Sequence, residues 1–135
     1  MSIAWSNDLA TGVSAIDNQH REIFARADKL SEACSAGRGK EEVLNLLLFL
    51  EDYVKEHFAA EEKLQIRHGY PDYAAHKSLH TRFIADIGRL TSSCRMEGAT
   101  LSLVILANKT LTAWLVQHIN KVDMEFASYL KKQGI

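Results

Sequence analysis

The chain has 135 residues, of which 47% are hydrophobic and 24% are charged, values typical of one globular domain rather than of a disordered chain. Its 16 basic and 17 acidic side chains give a formal net charge of -1, without the basic excess of a nucleic-acid-binding protein. No apolar run approaches the roughly 20 residues that span a bilayer, and the two cysteines are too few for a disulfide scaffold. We therefore expect a single domain over residues 1–135, with no membrane span and no bound nucleic acid.

The N-terminal segment is predicted to precede the first helix as an irregular arm of roughly a dozen residues. Residues Met1 to Asp8 lack the basic start and the apolar stretch of a secretory signal, so the chain is expected in the cytoplasm. A helix is then predicted over 17–36, with Asp17 as its cap, because apolar side chains recur from Ile16 to Cys34 at steps of three and four.

Three further helices are predicted, because glycine and proline interrupt the same apolar repeat at three places. The repeat of about 3.5 residues suits near-parallel packing, and short connections make consecutive helices antiparallel neighbours. The prediction is an all-α, up-down-up-down antiparallel four-helix bundle with an irregular N-terminal arm and a short C-terminal helical extension. These helices are expected over 41–67, 72–95 and 100–118, with the extension ending near 132. The fourth apolar face is expected to run from Leu101 to Val122.

Polar side chains on the predicted core faces are the most informative feature of the sequence. Five of the six histidines occupy these faces, together with one glutamate. A single core histidine is more often hydrogen-bonded than metal-bound, so a metal-free bundle with satisfied histidines is one interpretation. A buried carboxylate, however, needs a cation, and no lysine or arginine lies on these faces to pair with the glutamate. The side chains concerned are His20, His57, Glu61, His76, His80 and His118.

The bundle topology is expected to gather these side chains, and Asp123, at one end of the molecule. His57 and Glu61, like His76 and His80, are four residues apart, so each pair shares a helix face at about 6 Å. Five imidazoles and two carboxylates exceed the capacity of one ion but fit two octahedral ions bridged by both carboxylates and a solvent-derived oxygen. The lack of thiolate ligands argues against structural zinc and iron–sulfur clusters. Mixed imidazole and carboxylate ligation favours iron, with manganese second.

The last pair of candidate ligands has a different spacing. His118 and Asp123 are five residues apart, which places them about 140° from each other around a regular α-helix. A π-bulge, a kink or a helix end near residues 118–123 would bring both side chains inward. The ligand pattern therefore predicts an irregularity in this part of the chain.

Four motifs follow one another along the chain. They are Asp17-Asn18-Gln19-His20, H-x-x-x-E from His57 to Glu61, H-x-x-x-H from His76 to His80, and H-x-x-x-x-D from His118 to Asp123, accompanied by Trp5 and by Trp114-Leu115. In this order the motifs resemble those of the bacteriohemerythrins, within the hemerythrin family. The resemblance covers nearly the whole chain, and no ligand position departs from the family pattern.

The resemblance implies a non-haem di-iron centre in a four-helix bundle that binds O2 reversibly and is not an enzyme. Two iron ions would be joined by an oxo or hydroxo bridge and by the carboxylates of Glu61 and Asp123. Three histidines would complete one iron and two the other, which leaves a vacancy where O2 binds as hydroperoxide. The first iron would take His76, His80 and His118, and the second His20 and His57.

An apolar O2 pocket is expected beside the five-coordinate iron. Its lining is assigned by helical register to the ligands. No spare Glu, Lys or Tyr lies on the core faces at that level, so no general acid for O–O cleavage is expected, and Tyr73 is the nearest phenol by register. The expected lining residues are Ile23, Phe24, Phe58, Trp114, Leu115 and Ile119.

Two other function classes remain open. A di-iron oxidase or a ferritin-like iron-handling protein would use Glu-x-x-His pairs, and this chain contains none. The other class is an O2-sensing module, since hemerythrin-like domains also occur fused to signalling receptors. We expect a monomer whose ligand is O2, with an O2-consuming enzyme as a further candidate partner. His68 is interpreted as a helix-end cap, and Cys34 and Cys94 as reduced core residues.

Overall fold

The computed structural model describes residues 5–134, and every regular element in that range is helical. The predicted all-α class is therefore confirmed. A 3-10 turn (Asn7–Leu9) lies in the N-terminal arm, of which residues 1–4 are outside the described range, as is Ile135. The helices are α1 (Ser14–Ser35), α2 (Gly39–Arg67), α3 (Tyr73–Glu97), α4 (Leu101–Trp114), a π-helix (Leu115–Asp123) and α5 (Met124–Lys132).

The four long helices enclose one hydrophobic core. α1 packs on α2, α2 on α3 and α3 on α4, and contact between α1 and α4 closes the bundle. Each helix has apolar side chains every three or four residues, so its apolar face can pack on two neighbours at once. Ile23, Leu50, Val54 and Leu111 lie at the centre of this core and are at most 1% exposed. The predicted four-helix bundle is confirmed.

The start of α1 differs from the prediction. The helix begins at Ser14, three residues before Asp17, so Asp17 lies inside the first turn and is not the cap. Its buried carboxylate accepts hydrogen bonds from the amide and hydroxyl of Thr11, both at 2.8 Å, and from the amide of Gly12 at 3.3 Å. Asp17 thus fastens the N-terminal arm to α1 one turn before His20. A sequence pattern shows an acidic residue near a helix start but does not show which amides it will reach.

The chain from α4 to α5 is continuous and helical, with the π-helix between the two α-helical parts. This confirms the C-terminal helical extension. Phe126 and Leu130 of α5 form a second buried cluster with Tyr70, whose ring lies 4.8 Å from that of Phe126. The extension therefore covers the turn between α2 and α3.

Two glycines fit the turns that connect the helices. Gly69 follows the last residues of α2 with a φ of +64°, a conformation in which other residues are strained. Gly39 begins α2 in close contact with α4, since an added Cβ would lie 2.8 Å from Val104 and 2.9 Å from the sulfur of Cys34. Gly39 thus lets α2 begin close to α4, and Gly69 lets the chain turn after α2.

The prediction that the fourth apolar face begins at Leu101 is wrong. Leu101 is 63% exposed, and the buried face of α4 begins with Leu103 and Val104 instead. The first turn of a helix at the edge of a bundle has no neighbour on every side, so helical register alone does not bury it. Cys34 and Cys94 are both free, as expected. None of the described helices combines the length and apolar character of a membrane span.

Candidate metal centre

The seven side chains predicted as ligands lie together inside the bundle, and each is at most 4% exposed. Their nitrogen and oxygen atoms form two groups, and within each group all the atoms lie within 4.8 Å of one another. Both groups contain Glu61 and Asp123. The three-imidazole group adds His76, His80 and His118, and the two-imidazole group adds His20 and His57.

The π-helix explains how the last two side chains enter the site. Its hydrogen bonds run between residues five apart, so residues at that spacing lie on the same face. His118 and Asp123 therefore point to the same side, and the Nε2 atom of His118 lies 3.2 Å from Oδ1 of Asp123. The irregularity predicted from the ligand spacing occurs at residues 115–123.

The two carboxylates lie between the two groups. In the three-imidazole group, Oε1 of Glu61 lies 2.9 Å from Nε2 of His76 and 3.1 Å from Nε2 of His80. Oδ1 of Asp123 lies 2.9 Å from the same nitrogen of His76. In the two-imidazole group, Oε2 of Glu61 lies 3.6 Å from Nε2 of His57, and Oδ2 of Asp123 lies 3.2 Å from Nε2 of His20. Each carboxylate thus turns one oxygen to each group, as a bridging ligand would.

Hydrogen bonds at the outer edges of the rings orient the inner nitrogens. The Nδ1 atom of His57 lies 2.7 Å from the side-chain oxygen of Gln19, and that of His80 lies 2.8 Å from a carboxylate oxygen of Glu62. An oxygen acceptor requires these Nδ1 atoms to carry the proton, so in the neutral ring each Nε2 presents a lone pair to the interior. This is the arrangement of a metal-binding histidine.

Sequence reasoning missed the outer partners of the rings. Its pattern places Glu62 on a solvated helix face, whereas the structure turns this side chain to His80. Gln65 is fully buried, and its side-chain nitrogen Nε2 lies 2.7 Å from Nδ1 of His76. The available signal was the spacing, because Gln65 follows Glu61 by four residues and so shares its inward face.

The arrangement fits a pair of cations, one in each group of donors. Two pairs of Nε2 atoms, in His20 with His57 and in His76 with His118, lie 3.0 and 3.1 Å apart. Lone pairs that face each other at this distance repel unless a proton or a metal ion lies between them. Apart from the imidazoles themselves, no donor among residues 5–134 reaches the four buried oxygens of Glu61 and Asp123. Imidazole and carboxylate donors suit iron, and no thiolate belongs to either group.

The part of the chain that contains this site matches a known protein family. The family described as the hemerythrin HHE cation binding domain matches residues 11–130. The chain belongs to the hemerythrin family. The match spans α1 to α4, the π-helix and most of α5, so it contains all seven side chains of the site.

Relatives of this hemerythrin-family chain are similar along most of its length. It is 33% identical to a bacteriohemerythrin from Methylococcus capsulatus over 116 residues, which cover 86% of each protein. It is 32% identical to a bacteriohemerythrin from Stenotrophomonas maltophilia, over 96% of this chain and 82% of that protein. A solved structure of wild-type hemerythrin superposes with a TM-score of 0.79 at 31% identity and covers 93% of this chain and 95% of its own. The resemblance inferred from the motifs is confirmed.

In the metal-free chain, the pKa values of the buried histidines and carboxylates of the site depend on one another. Burial lowers the pKa of His20, but hydrogen bonds and charge from Asp123 and Glu61 outweigh burial and raise the pKa to about 9. The same causes raise the pKa of His76 to about 9. Burial and the charge of Glu61 act to raise the pKa of Asp123, but hydrogen bonds from histidines lower it to about 2. Burial lowers the pKa of His57 to about 4. Protons on two of the imidazoles thus balance the carboxylates in the metal-free chain.

The side chains predicted to line an O2 pocket fall into two sets, one that contacts the imidazoles and one that lies in the bundle core. The Phe58 ring stacks on His80 with centroids 3.9 Å apart, and the Trp114 ring stacks on His118 at 4.5 Å. These two aromatic residues therefore contact the three-imidazole group. The other four belong to the bundle core and are at most 3% exposed: Ile23, Phe24, Leu115 and Ile119.

Two further residues singled out in the sequence lie outside the donor groups. Tyr73 is half-buried, whereas Tyr70 is buried with its ring 6.5 Å from that of His76, so Tyr70 is the tyrosine beside a ligand. His68 directly follows α2, and its carbonyl accepts a hydrogen bond of 2.6 Å from the hydroxyl of Tyr129. The sixth histidine thus takes part in the turn after α2 and in neither donor group.

Proposed function

We propose that this hemerythrin-family chain binds O2 reversibly at two iron ions and performs no catalytic turnover. The observation that carries the proposal is the sharing of both carboxylates, since Glu61 and Asp123 each direct one oxygen to each group of imidazoles. A pair of ions at these positions would be bridged twice by the protein.

The two groups offer different numbers of protein ligands. With one further oxygen from solvent, the three-imidazole group would offer six donors to one ion. The two-imidazole group would offer five, so an ion held by His20 and His57 would keep one position for an external ligand. Two ferrous ions held in this way would supply the two electrons that O2 accepts. The chain orients the His57 ring for this role, because Gln19 accepts the proton of its outer nitrogen.

The proposal includes an apolar O2 pocket. Ile23, Phe24, Leu115 and Ile119 are buried and carry no polar side-chain atom, so water has no partner beside them. Bound O2 can be lost as a negatively charged, reduced species. Excluding water would slow this loss, because no solvent would stabilise the departing charge. Phe58 and Trp114 are assigned to the same lining, and their rings also stack on His80 and His118 of the three-imidazole group.

The absence of turnover is proposed because the phenol that lies one helical turn before His57 is a poor proton donor. Tyr53 precedes His57 by one helical turn and stacks on Phe49 with ring centroids 4.8 Å apart. Burial raises the pKa of Tyr53, and the charges of Glu22 and Glu56 raise it further, so the phenol holds its proton. Cleaving the O–O bond would require proton delivery that this side chain does not favour.

Metal analysis and optical spectroscopy of the purified protein test the proposal. We expect about two iron atoms per chain and, after anaerobic reduction, a colourless protein. Exposure to air should produce a visible absorption band that disappears under argon, over several cycles. Steady O2 consumption with added reductant and no reversible band would contradict the proposal and favour the oxidase class.

The same proposal covers the setting of the protein. We propose one domain over residues 1–135, acting as a monomer in the cytoplasm and giving up O2 to an O2-consuming enzyme. Light scattering measures the mass in solution. A mass of one chain, 15.2 kDa, in both the reduced and the air-exposed protein would agree with a monomer. A mass that doubles on O2 binding would contradict it.

A further inference from the structure

A cleft of about 310 Å³ opens between α3 and α4 beside the three-imidazole group. Its lining is mixed, with aromatic rings from Phe83 and Trp114 and aliphatic side chains from Leu79 and Val122. His118, one of the seven candidate ligands, also borders the cleft. Clefts of this size and apolar character are typical of sites for small molecules.

Trp114 connects this cleft to the candidate metal centre. The side chain is half-buried, and its ring stacks on Phe83 at 4.4 Å and on His118 at 4.5 Å, with planes 26° and 13° apart. Trp114 therefore provides an aromatic contact between the cleft and a candidate ligand ring.

The charge around the cleft favours an anion. α3 and α4 carry five basic and two acidic side chains, whereas α1 and α2 carry seven basic and eleven acidic ones. Within the cleft, Asp86 forms an ion pair with Arg89, and no carboxylate of residues 5–134 pairs with Arg82. The guanidinium of Arg82 is thus available to an anionic ligand in the cleft.

We propose that this cleft binds a small planar aromatic two-electron donor that carries an anionic group, and that Trp114 passes its electrons to His118. The inference rests on the proposed function, because a carrier whose iron pair has become ferric must be reduced before it can bind O2 again. A donor of the dihydroflavin class would lose two electrons and two protons and become an oxidised flavin. Each ferric ion would gain one electron, and the protons would pass to water at the open side of the cleft.

The geometry assigns each part of the donor to a different part of the cleft. The planar ring would lie against the aromatic and aliphatic side of the cleft, next to Trp114, where stacking favours flat ligands. The anionic group would pair with Arg82 at the rim. Trp114 would then act as a positioning residue and electron relay, because it contacts both the donor and the ligand ring.

Equilibrium dialysis of the iron-loaded protein against oxidised flavin mononucleotide and against riboflavin tests the site. The two probes share one ring system, and riboflavin lacks the phosphate. We expect Arg82→Glu to weaken binding of flavin mononucleotide by about tenfold or more and to leave riboflavin binding within about twofold. No binding of either probe, or equal losses for both in the variant, would overturn the proposed site.

A second experiment tests the route of the electrons. Diferric protein would be mixed anaerobically with reduced flavin mononucleotide or with dithionite, a small inorganic donor that needs no aromatic site. We expect Trp114→Leu to slow reduction by the flavin about tenfold, with a much smaller effect on reduction by dithionite, because only the flavin would depend on the stacked ring. Phe49→Leu is the matched control, since Phe49 is a half-buried aromatic residue of α2 that contacts Tyr53.

The outcomes separate this inference from the proposed function. Equal rates with the flavin in the Trp114→Leu variant and the unmodified protein would overturn the electron route. Flavin binding that depends on Arg82, in a protein that shows no reversible O2 band, would leave the site standing and reject the O2 carrier. A reversible O2 band without flavin binding would reject the site alone.

Discussion

The two ligand groups share both carboxylates but hold their imidazoles differently. In the three-imidazole group, His80 donates its outer hydrogen bond to the carboxylate of Glu62, and Phe58 covers its ring. In the two-imidazole group, His57 donates to the neutral amide of Gln19. A carboxylate partner makes an imidazole a stronger electron donor than an amide partner does. The three-imidazole group is therefore the more strongly donating side of the site.

The difference extends to the packing of the rings. His118 is covered by Trp114, whereas the outer nitrogen of His20 is buried without a hydrogen-bond partner among residues 5–134. The three-imidazole group is thus fixed by hydrogen bonds and stacking, and the two-imidazole group keeps a less constrained ring. An ion with complete coordination needs fixed ligands, while an ion that gains and loses an external ligand can use a ring that is free to adjust.

Removal of a shared carboxylate should have the largest effect. We expect Glu61→Ala and Asp123→Ala each to reduce the iron content from about two atoms per chain to near zero, because each carboxylate serves both groups. Metal analysis after purification measures the loss. Glu125→Ala is the matched control, since Glu125 is an exposed carboxylate two residues after Asp123. Retention of both iron atoms in either of the first two variants would disprove the shared bridge.

Removal of the outer hydrogen-bond partner of a histidine should have a different effect in each of the two groups. We expect Glu62→Leu to weaken iron retention against a chelator by about tenfold, because His80 loses its orienting acceptor. Gln19→Leu should instead act on His57 and change O2 affinity more than iron retention. The time course of iron release to a chelator and an O2 titration make the comparison. The distinction between the groups fails if the two variants give the same pattern.

A charge introduced beside the two-imidazole group should disturb O2 binding and leave the bundle folded. Ile119→Glu places a carboxylate in the proposed pocket, where it would occupy the open position or deliver protons. We expect weaker O2 binding and autoxidation faster by about tenfold or more. Val116→Glu is the control, because Val116 is 48% exposed on the same π-helix. Unchanged O2 binding and autoxidation in Ile119→Glu would show that this residue lies outside the pocket.

The pH dependence of stability should differ between the metal-free and iron-loaded forms. In the metal-free chain the pKa values of His20 and His76 are raised to about 9, so the folded state keeps protons that the unfolded state loses above its ordinary pKa of about 6.5. The free energy of unfolding should therefore fall as the pH rises from about 6.5 to about 9. Bound iron would take the place of these protons, so the loaded protein should not show this fall. Denaturant titrations at several pH values measure both curves.

Substitution of the remaining histidine should have the smallest effect. His68 lies in the turn after α2, and only its backbone carbonyl is hydrogen-bonded to Tyr129. We expect His68→Ala to keep about two iron atoms per chain, with O2 binding unchanged. His57→Ala is the comparison and should lose iron. If His68→Ala lost iron while His57→Ala kept both atoms, the assignment of the two groups would be wrong.

Helical register was enough to predict which side chains would meet, because a ligand on a core face has little choice of direction. It also indicated the irregularity at His118 and Asp123, since their spacing does not suit an α-helix. The roles of Gln19 and Glu62 were not predictable in the same way. Their long side chains reach a neighbouring helix from positions that a helical pattern assigns to the surface.

The other differences arise from chain ends and helix ends. The start of α1 depends on the hydrogen bonds of Asp17 with Thr11 and Gly12, which involve backbone atoms that no side-chain pattern reveals. Leu101 is exposed because it lies on the side of the first turn of α4 that no neighbour covers, while Leu103 and Val104 of the same turn are buried. Periodicity describes the middle of a helix well, and local hydrogen bonding decides where the helix begins.

The nine-residue π-helix also determines where the length of this chain can change. A π-helix accommodates one residue more than an α-helix does, and the helix beyond it keeps its orientation. Removing the exposed Asn120 would give His118 and Asp123 the four-residue spacing of the other ligand pairs, with Phe126 still directed to Tyr70. The same deletion in the middle of α2 or α3 would turn the following residues by about 100° and carry ligands out of the core. The π-helix can thus lose one residue and keep its ligands inside the bundle, whereas the middle of α2 or α3 cannot.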